Sequence, residues 1–332
     1  MKNMTNIYFY FSIGFIVFMI WILFIVNKKR KINEVKESLN QQLLLVSLPR
    51  DIKTKEGTGV KEIIAVSEQI LSNLAQYKKP ISLEIVNPIN DNVISFYLSV
   101  PKQDTSLFIK TITAFMPFAQ VTPVKDYSLF TKNSQVQGAD IVLKENYALK
   151  TRDYDEFSED PLKSILNSFT KVNKDEGVCL QIVLKPSSRR EDLREKLQLY
   201  KETKNDSLLL NTKAGPLKEM SLAFSSSFKK EAEENKETEK EINQDFVESM
   251  TKKLSKKLFD CSIRVVVSTN DKTTSKMILS DIENNFSDLD NPILNSFKFL
   301  RNNSKKFIFN YCYKLFTPNT KITLTTSEIC SF

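Results

Sequence analysis

The order of apolar and polar positions divides the chain into an amino-terminal apolar run and two similar patterned halves. Twenty positions, Ile7 to Val26, carry no charge, and the cations Lys28, Lys29, Arg30 and Lys31 follow directly after Asn27. A helix rises about 1.5 Å per residue, so a run of this length covers about 30 Å, the hydrocarbon thickness of a bilayer. A secretory signal peptide has a shorter apolar region that ends in small residues. Here Phe, Ile and Trp occupy every face and the flank is basic, which predicts an uncleaved single-pass anchor. Four cations on one side against Lys2 on the other predict that the rest of the chain is cytosolic and that the protein sits in the cell (inner, cytoplasmic) membrane.

Beyond the anchor, "QLLLVSLP" (42–49) suits a strand, and residues 59–77 place Ile63, Val66, Ile70 and Leu74 on one helical stripe. "ISLEIV" (81–86) and "VISFYLSV" (93–100) read as a hairpin across "NPINDN". Residues 104–116 open with Asp104 as a cap and read as a helix, and 119–127 read as a last strand whose Pro123 suggests a sheet edge. The second half repeats the order. Strands are expected at 139–145, 178–186, 261–269 and 305–315, with helices at 160–172, capped by Asp160, and at 271–286. Between its second and third strands lies an insertion, 187–258. It reads as a charged helix over 187–202, a mobile stretch over 203–227, and a long helix over 228–259. The first half of that long helix is almost without apolar residues. From Ile242 on, Phe246, Met250 and Leu254 form a stripe suited either to packing on the body or to a coiled coil or partner-binding arm.

The fold class read from this pattern is α+β: a single amino-terminal transmembrane helix followed by two ferredoxin-like βαββαβ units, the second with a long helical insertion. The corresponding boundaries are 1–31 for the anchor and basic flank, 32–135 for the first unit and 136–332 for the second.

Composition narrows the chemistry. The net charge is +8, but residues 1–31 hold five cations and no acid, so the remainder carries 43 cations against 40 acids. The body therefore gives only weak grounds for nucleic-acid binding. There is no histidine, which removes the commonest general base and metal ligand. Six glycines form neither a G-x-x-x-x-G-K-[ST] loop nor a G-x-G-x-x-G turn; "GTGVKE" (57–62) fails both patterns. The cysteines Cys179, Cys261, Cys312 and Cys330 lack metal-ligand spacing, and Cys179 and Cys261 sit in apolar runs as core residues do. "RDYDEFSED" (152–160) lacks the calcium-loop pattern and reads as linker plus helix cap; "SRRED" (187–191) and "RNNSKKF" (301–307) read as solvated basic surface. The aromatic-rich end, Phe297 to Phe316, reads as core. No catalytic, metal or cofactor residue is expected, and the protein is expected not to be an enzyme.

Several segments occur together and in order: the anchor, "SLEIVN…ISFYLSVPK" (82–102), "VKDYSLF" (124–130), residues 147–186, a charged insertion, "KKLFDCSIRVVVST" (256–269) and "ITLTTSEICSF" (322–332). This order resembles the amino-terminal, membrane-anchored region of ATPases of candidate-phyla (Patescibacteria-type) bacteria. These belong to the type IV secretion and conjugation-like HerA/FtsK group, and the region itself is a domain of unknown function. In such proteins the last segment leads into a P-loop motor domain. No motor motif occurs here: the gene is split, the copy works without its own motor, or the sequence is a piece. The resemblance implies a membrane-anchored, non-catalytic accessory or assembly module of a type IV secretion-like or DNA-translocating machine. Its implied partners are the membrane and either a P-loop ATPase motor subunit or copies of itself. An envelope scaffold unrelated to DNA, or an enzyme with an unrecognised carboxylate site, are the competing readings.

Overall fold

The computed structural model describes residues 2–49, 60–91, 93–157, 161–210 and 242–332. In chain order the elements are α1 (Lys2–Leu39), β1 (Gln41–Ser47), α2 (Val60–Leu74), β2 (Ile81–Asn87), β3 (Ser95–Pro101), α3 (Thr105–Phe115), β4 (Gln120–Val124), β5 (Gln135–Leu143), α4 (Pro161–Phe169) and β6 (Gly177–Pro186). They continue with α5 (Arg190–Thr203), α6 (Ser207–Leu210), α7 (Gln244–Ser255), β7 (Leu258–Thr269), α8 (Lys272–Phe286), β8 (Phe297–Arg301), α9 (Lys305–Cys312), β9 (Ile322–Thr325) and α10 (Thr326–Ile329).

The fold is mixed α+β, built on one antiparallel sheet of nine strands in the order β4-β1-β3-β2-β6-β7-β5-β8, with β9 beside β7. Each half contributes β-α-β-β-α-β, and its strands stand in the order fourth, first, third, second. The halves join through their second strands: Ile81 to Asn87 of β2 pair with Leu184 to Val178 of β6. β7 is the longest strand because it has two neighbours on one side. Ile263 to Thr269 pair with β5, and Leu258 to Cys261 pair with β9.

Alternation along the strands sends Leu180, Ile182, Ile263 and Val265 to one face. There they pack with Leu71 of α2, Phe108 of α3, Ile165 of α4 and Ile282 of α8 in the main core. Every one of these side chains is buried, and burial on this scale is the chief driving force for the fold. The other face carries Glu84, Gln181 and Arg264 at the centre of the sheet. It is covered by α9 and residues 127–130, whose Phe307, Tyr311 and Leu129 form a smaller cluster with Val86, Cys179 and Val266. A third cluster joins α5 and α7: Leu193 and Tyr200 meet Phe246 and Met250.

Three expectations change. Residues 305–315 are not a strand. Ser304 caps a helix there by accepting the Phe307 N–H at 3.2 Å, and Phe307 and Tyr311, one turn apart, are buried while Phe309 stays exposed. The aromatics at every second position mimic a strand, but the fourth strand of the second half is the shorter β8. Next, Asp104 stands at the amino-terminal end of α3 without capping it; its carboxylate accepts the Tyr77 hydroxyl at 2.5 Å instead. Finally, the long helix expected over 228–259 is described only as α7, which begins at the Asn243 cap, and Leu258 and Phe259 already belong to β7. The 228–241 part of that arm, residues 211–227 of the stretch expected to be mobile, and the Asp160 cap lie outside the described residues.

Candidate functional site

The residues singled out by sequence fall on α1 and α7. α1 continues through the apolar run and the basic flank to Leu39. Phe15, Phe18, Met19, Ile20, Trp21, Leu23 and Val26 are all exposed, at 44–61% of their surface. They point in every direction around the helix, since successive residues turn by about 100°. Lys28, Lys29 and Lys31 are exposed too; the Arg30 side chain lies outside the described residues. Among the described residues no helix is long and apolar enough to cross a membrane. The side chains of residues 7–14 and of Ile16, Val17 and Phe24 are outside that set.

The α7 stripe is occupied from within. Phe246 and Met250 are 3% and 0% exposed, Leu254 packs against the same cluster, and the Tyr200 ring lies 5.8 Å from that of Phe246. Phe246 and Met250 are thus buried within the body, and Leu254 is partly buried beside them. Beside them lies a shallow open cleft lined by Lys150, Glu156, Asp245, Glu248, Lys252 and Ile293. Burial lowers the Lys150 ammonium, but the hydrogen bond to Glu156 and the charges of Asp153 and Glu156 outweigh it and raise its pKa.

Two buried polar networks join residues far apart in the sequence. In the first, Lys253 of α7 and Glu328 of α10, each 1% exposed, pair at 3.2 Å. The Lys253 ammonium also donates to the carbonyls of Tyr147 at 2.8 Å and Thr323 at 3.3 Å. Glu328 accepts the N–H groups of Thr151 and Thr325, both at 2.8 Å, and both threonine hydroxyls. Burial pushes the Lys253 pKa down, against the Glu328 charge. Next to this pair, Glu68 of α2 accepts from Tyr154 at 2.7 Å, Thr326 at 2.7 Å and Lys256 at 3.0 Å. Burial raises the Glu68 carboxyl, but these three hydrogen bonds and the Lys256 charge overcome it and hold the group below its usual value. The carboxyl-terminal segment therefore ties α2, the 150–156 connection and the insertion together.

In the second network, Arg264 of β7 is 0% exposed. It donates to Gln181 at 2.8 Å, to the Asn310 carbonyl at 3.2 Å, and to Leu315 and Thr317. Asp140 lies 3.7 Å from its Nε, and burial lowers the guanidinium to about 10. Glu84 accepts from Ser82, Tyr127 and Gln181 at 2.8–3.0 Å, and Tyr127 lies 3.0 Å from the Tyr311 hydroxyl. Burial pushes the neighbouring Cys179 thiol up to about 12, so it is no nucleophile at neutral pH. Both networks fasten the covering segments to the sheet. Among the described residues no group of histidine, cysteine, aspartate or glutamate side chains could hold a metal ion. The only sequence signal of the second network is a lone charge among apolar neighbours: Glu84 in "ISLEIV", Arg264 in "CSIRVVVST".

A family model described as "Domain of unknown function (DUF8128)" matches residues 32–297. No curated protein matches the chain.

Proposed function

Since the chain belongs to the DUF8128 family, whose function is undefined, we propose from its own architecture that it is a membrane-anchored assembly module, with α1 inserted in the bilayer and the two βαββαβ halves, each ferredoxin-like, on the side of the basic flank. The observation that carries the reading is the exposure of Phe15, Phe18, Ile20, Trp21 and Leu23 on one helix immediately before four cations. In water, that much uncovered apolar surface is unfavourable; in hydrocarbon it is solvated. The body serves as a scaffold: its buried charges hold elements together, and the machine it joins is of the type IV secretion-like or DNA-translocating kind that the order of its sequence segments resembles. A P-loop motor subunit or further copies of the chain are the partners.

Membranes from cells expressing the full chain test the anchor. The protein should stay with the bilayer through an alkaline carbonate wash, and a reporter after Phe332 should be active only in the cytosol. Release by carbonate overturns the anchor, and digestion of the body by protease added to intact cells overturns the orientation. Recovery of an ATPase with the detergent-extracted chain supports the assembly role; recovery of the chain alone and monomeric counts against it.

A further inference from the structure

The register fixes which loops share an end of the sheet with α1. Gln41 opens β1 opposite Pro101, and the Lys102 N–H donates to the Asn40 carbonyl at 3.0 Å, so Lys102 sits at the α1–β1 junction. Val124, the last residue of β4, pairs with Leu43, which brings Lys125 to the same end. Lys78 and Lys79 precede β2, whose Ser82 pairs with Ser99 of β3. Lys257 precedes β7, whose Phe259 pairs with Pro186 at the end of β6. All five lysines are exposed. Three acids at this end are engaged, Asp104 with Tyr77 at 2.5 Å and Lys79 at 3.9 Å, Asp126 with Lys314 at 3.2 Å, and Asp260 with Lys321 at 2.9 Å. On α1, Glu37 is exposed beside the exposed Lys36, and Glu34 is half-buried, so the lysines of the loops outnumber the exposed acids at this end.

We infer that this end of the body is a docking face for anionic lipid headgroups, so that the sheet is pressed onto the bilayer and not merely tethered to it. The inference rests on the proposed anchor. Its argument is complementarity of charge and height. The Ser38 hydroxyl donates to the Tyr313 carbonyl, so the body meets α1 at its last turn. That is twelve residues beyond Val26, or about 18 Å of helix. The headgroup layer fills about 5–7 Å of it. The remainder, about 11–13 Å, is comparable with the Debye length of about 8 Å at physiological salt, and tilt of α1 together with extended lysine side chains narrows it. Each lysine held near an anionic surface is worth roughly a fivefold gain in local occupancy.

The test uses the full chain in nanodiscs of neutral phosphatidylcholine and of phosphatidylcholine with about a third phosphatidylglycerol, followed by hydrogen exchange. Residues 76–80, 101–105 and 124–127 should exchange several-fold more slowly in the anionic discs. High salt should abolish the difference, as should Lys78→Glu, Lys79→Glu, Lys102→Glu and Lys125→Glu together, whereas the four lysine-to-arginine changes should keep it. Equal exchange in both discs, with the chain still inserted, overturns the docking face while leaving the anchor intact. Failure to enter either disc overturns the anchor itself. Protection in neutral discs on adding DNA, with none from anionic lipid, assigns the lysines to nucleic acid and also overturns the inference.

Discussion

Lys253 and Glu328 illustrate how much a single charge can cost when its partner is removed. Lys253→Met leaves the Glu328 carboxylate buried without its cation and should lower stability by about 3–5 kcal/mol in denaturant titration. Adding Glu328→Gln should cost less than the sum of the two single changes, because the buried charge goes with it. Glu68 gives a pH signature. Its folded pKa is depressed, so the unfolded chain binds its proton first as pH falls. Its stabilising contribution is therefore complete above the ordinary glutamate range and is lost on acidification through the lowered folded value. The wild type should lose stability more steeply than Glu68→Gln below about pH 4.5, the unperturbed range. Parallel curves would assign Glu68 no linked proton. None of these pairings was legible in the sequence: Lys253 sits one place from an apolar stripe, and its partner lies 75 positions away, in a segment read only as an ending.

Elements with a strong local period were legible, because the period itself is the cause of their burial. α2, α8 and the strands β2 and β6 stand where apolar spacing put them, and β7 does so from Cys261 on. α9 is ambiguous in the sequence, because aromatics at 307, 309, 311 and 313 satisfy a period of two as well as they satisfy a capped helix; the Ser304 cap and the sheet beneath decide it. Its seat needs Gly138: a Cβ there would lie 2.3 Å from Phe307 Cε1. Gly138→Ala should thus force α9 outward and cost about 1–3 kcal/mol, seen as a lower melting temperature and faster exchange across 305–312. On α7, Phe246→Ala and Met250→Ala should each cost about 2–5 kcal/mol, since both empty fully buried space. An unchanged melting temperature for either would mean that the stripe is not packed against α5 in solution.

For the molecule as a whole, the doubled βαββαβ order was legible but the way the halves meet was not. A sequence pattern says which residues face a core, not which edges find each other. The outermost strands β4 and β8 are short, and they carry Pro123 in one case and Lys298 and Arg301 in the other, features that discourage pairing with further chains. The paired stretches of β2 and β6, Ile81–Asn87 and Val178–Leu184, carry no proline, lysine or arginine, because each covers the other. A fragment of residues 32–134 should expose β2 and elute as a dimer or aggregate in size-exclusion chromatography; a well-behaved monomer would show that the first half closes without its neighbour.

The same seam has a mechanical meaning. The strands run along the line from the end where α1 enters to the opposite end. If α1 is held in a bilayer and a partner pulls on the second half from the far end, the tension crosses from β2 to β6 parallel to both strands. The paired residues Ile81–Asn87 and Val178–Leu184 then resist together, in shear, instead of parting one after another as a peeled hairpin does. Joined this way, the halves would yield abruptly and only at high force, whereas a pull applied sideways at either outer strand would strip the sheet open a few bonds at a time.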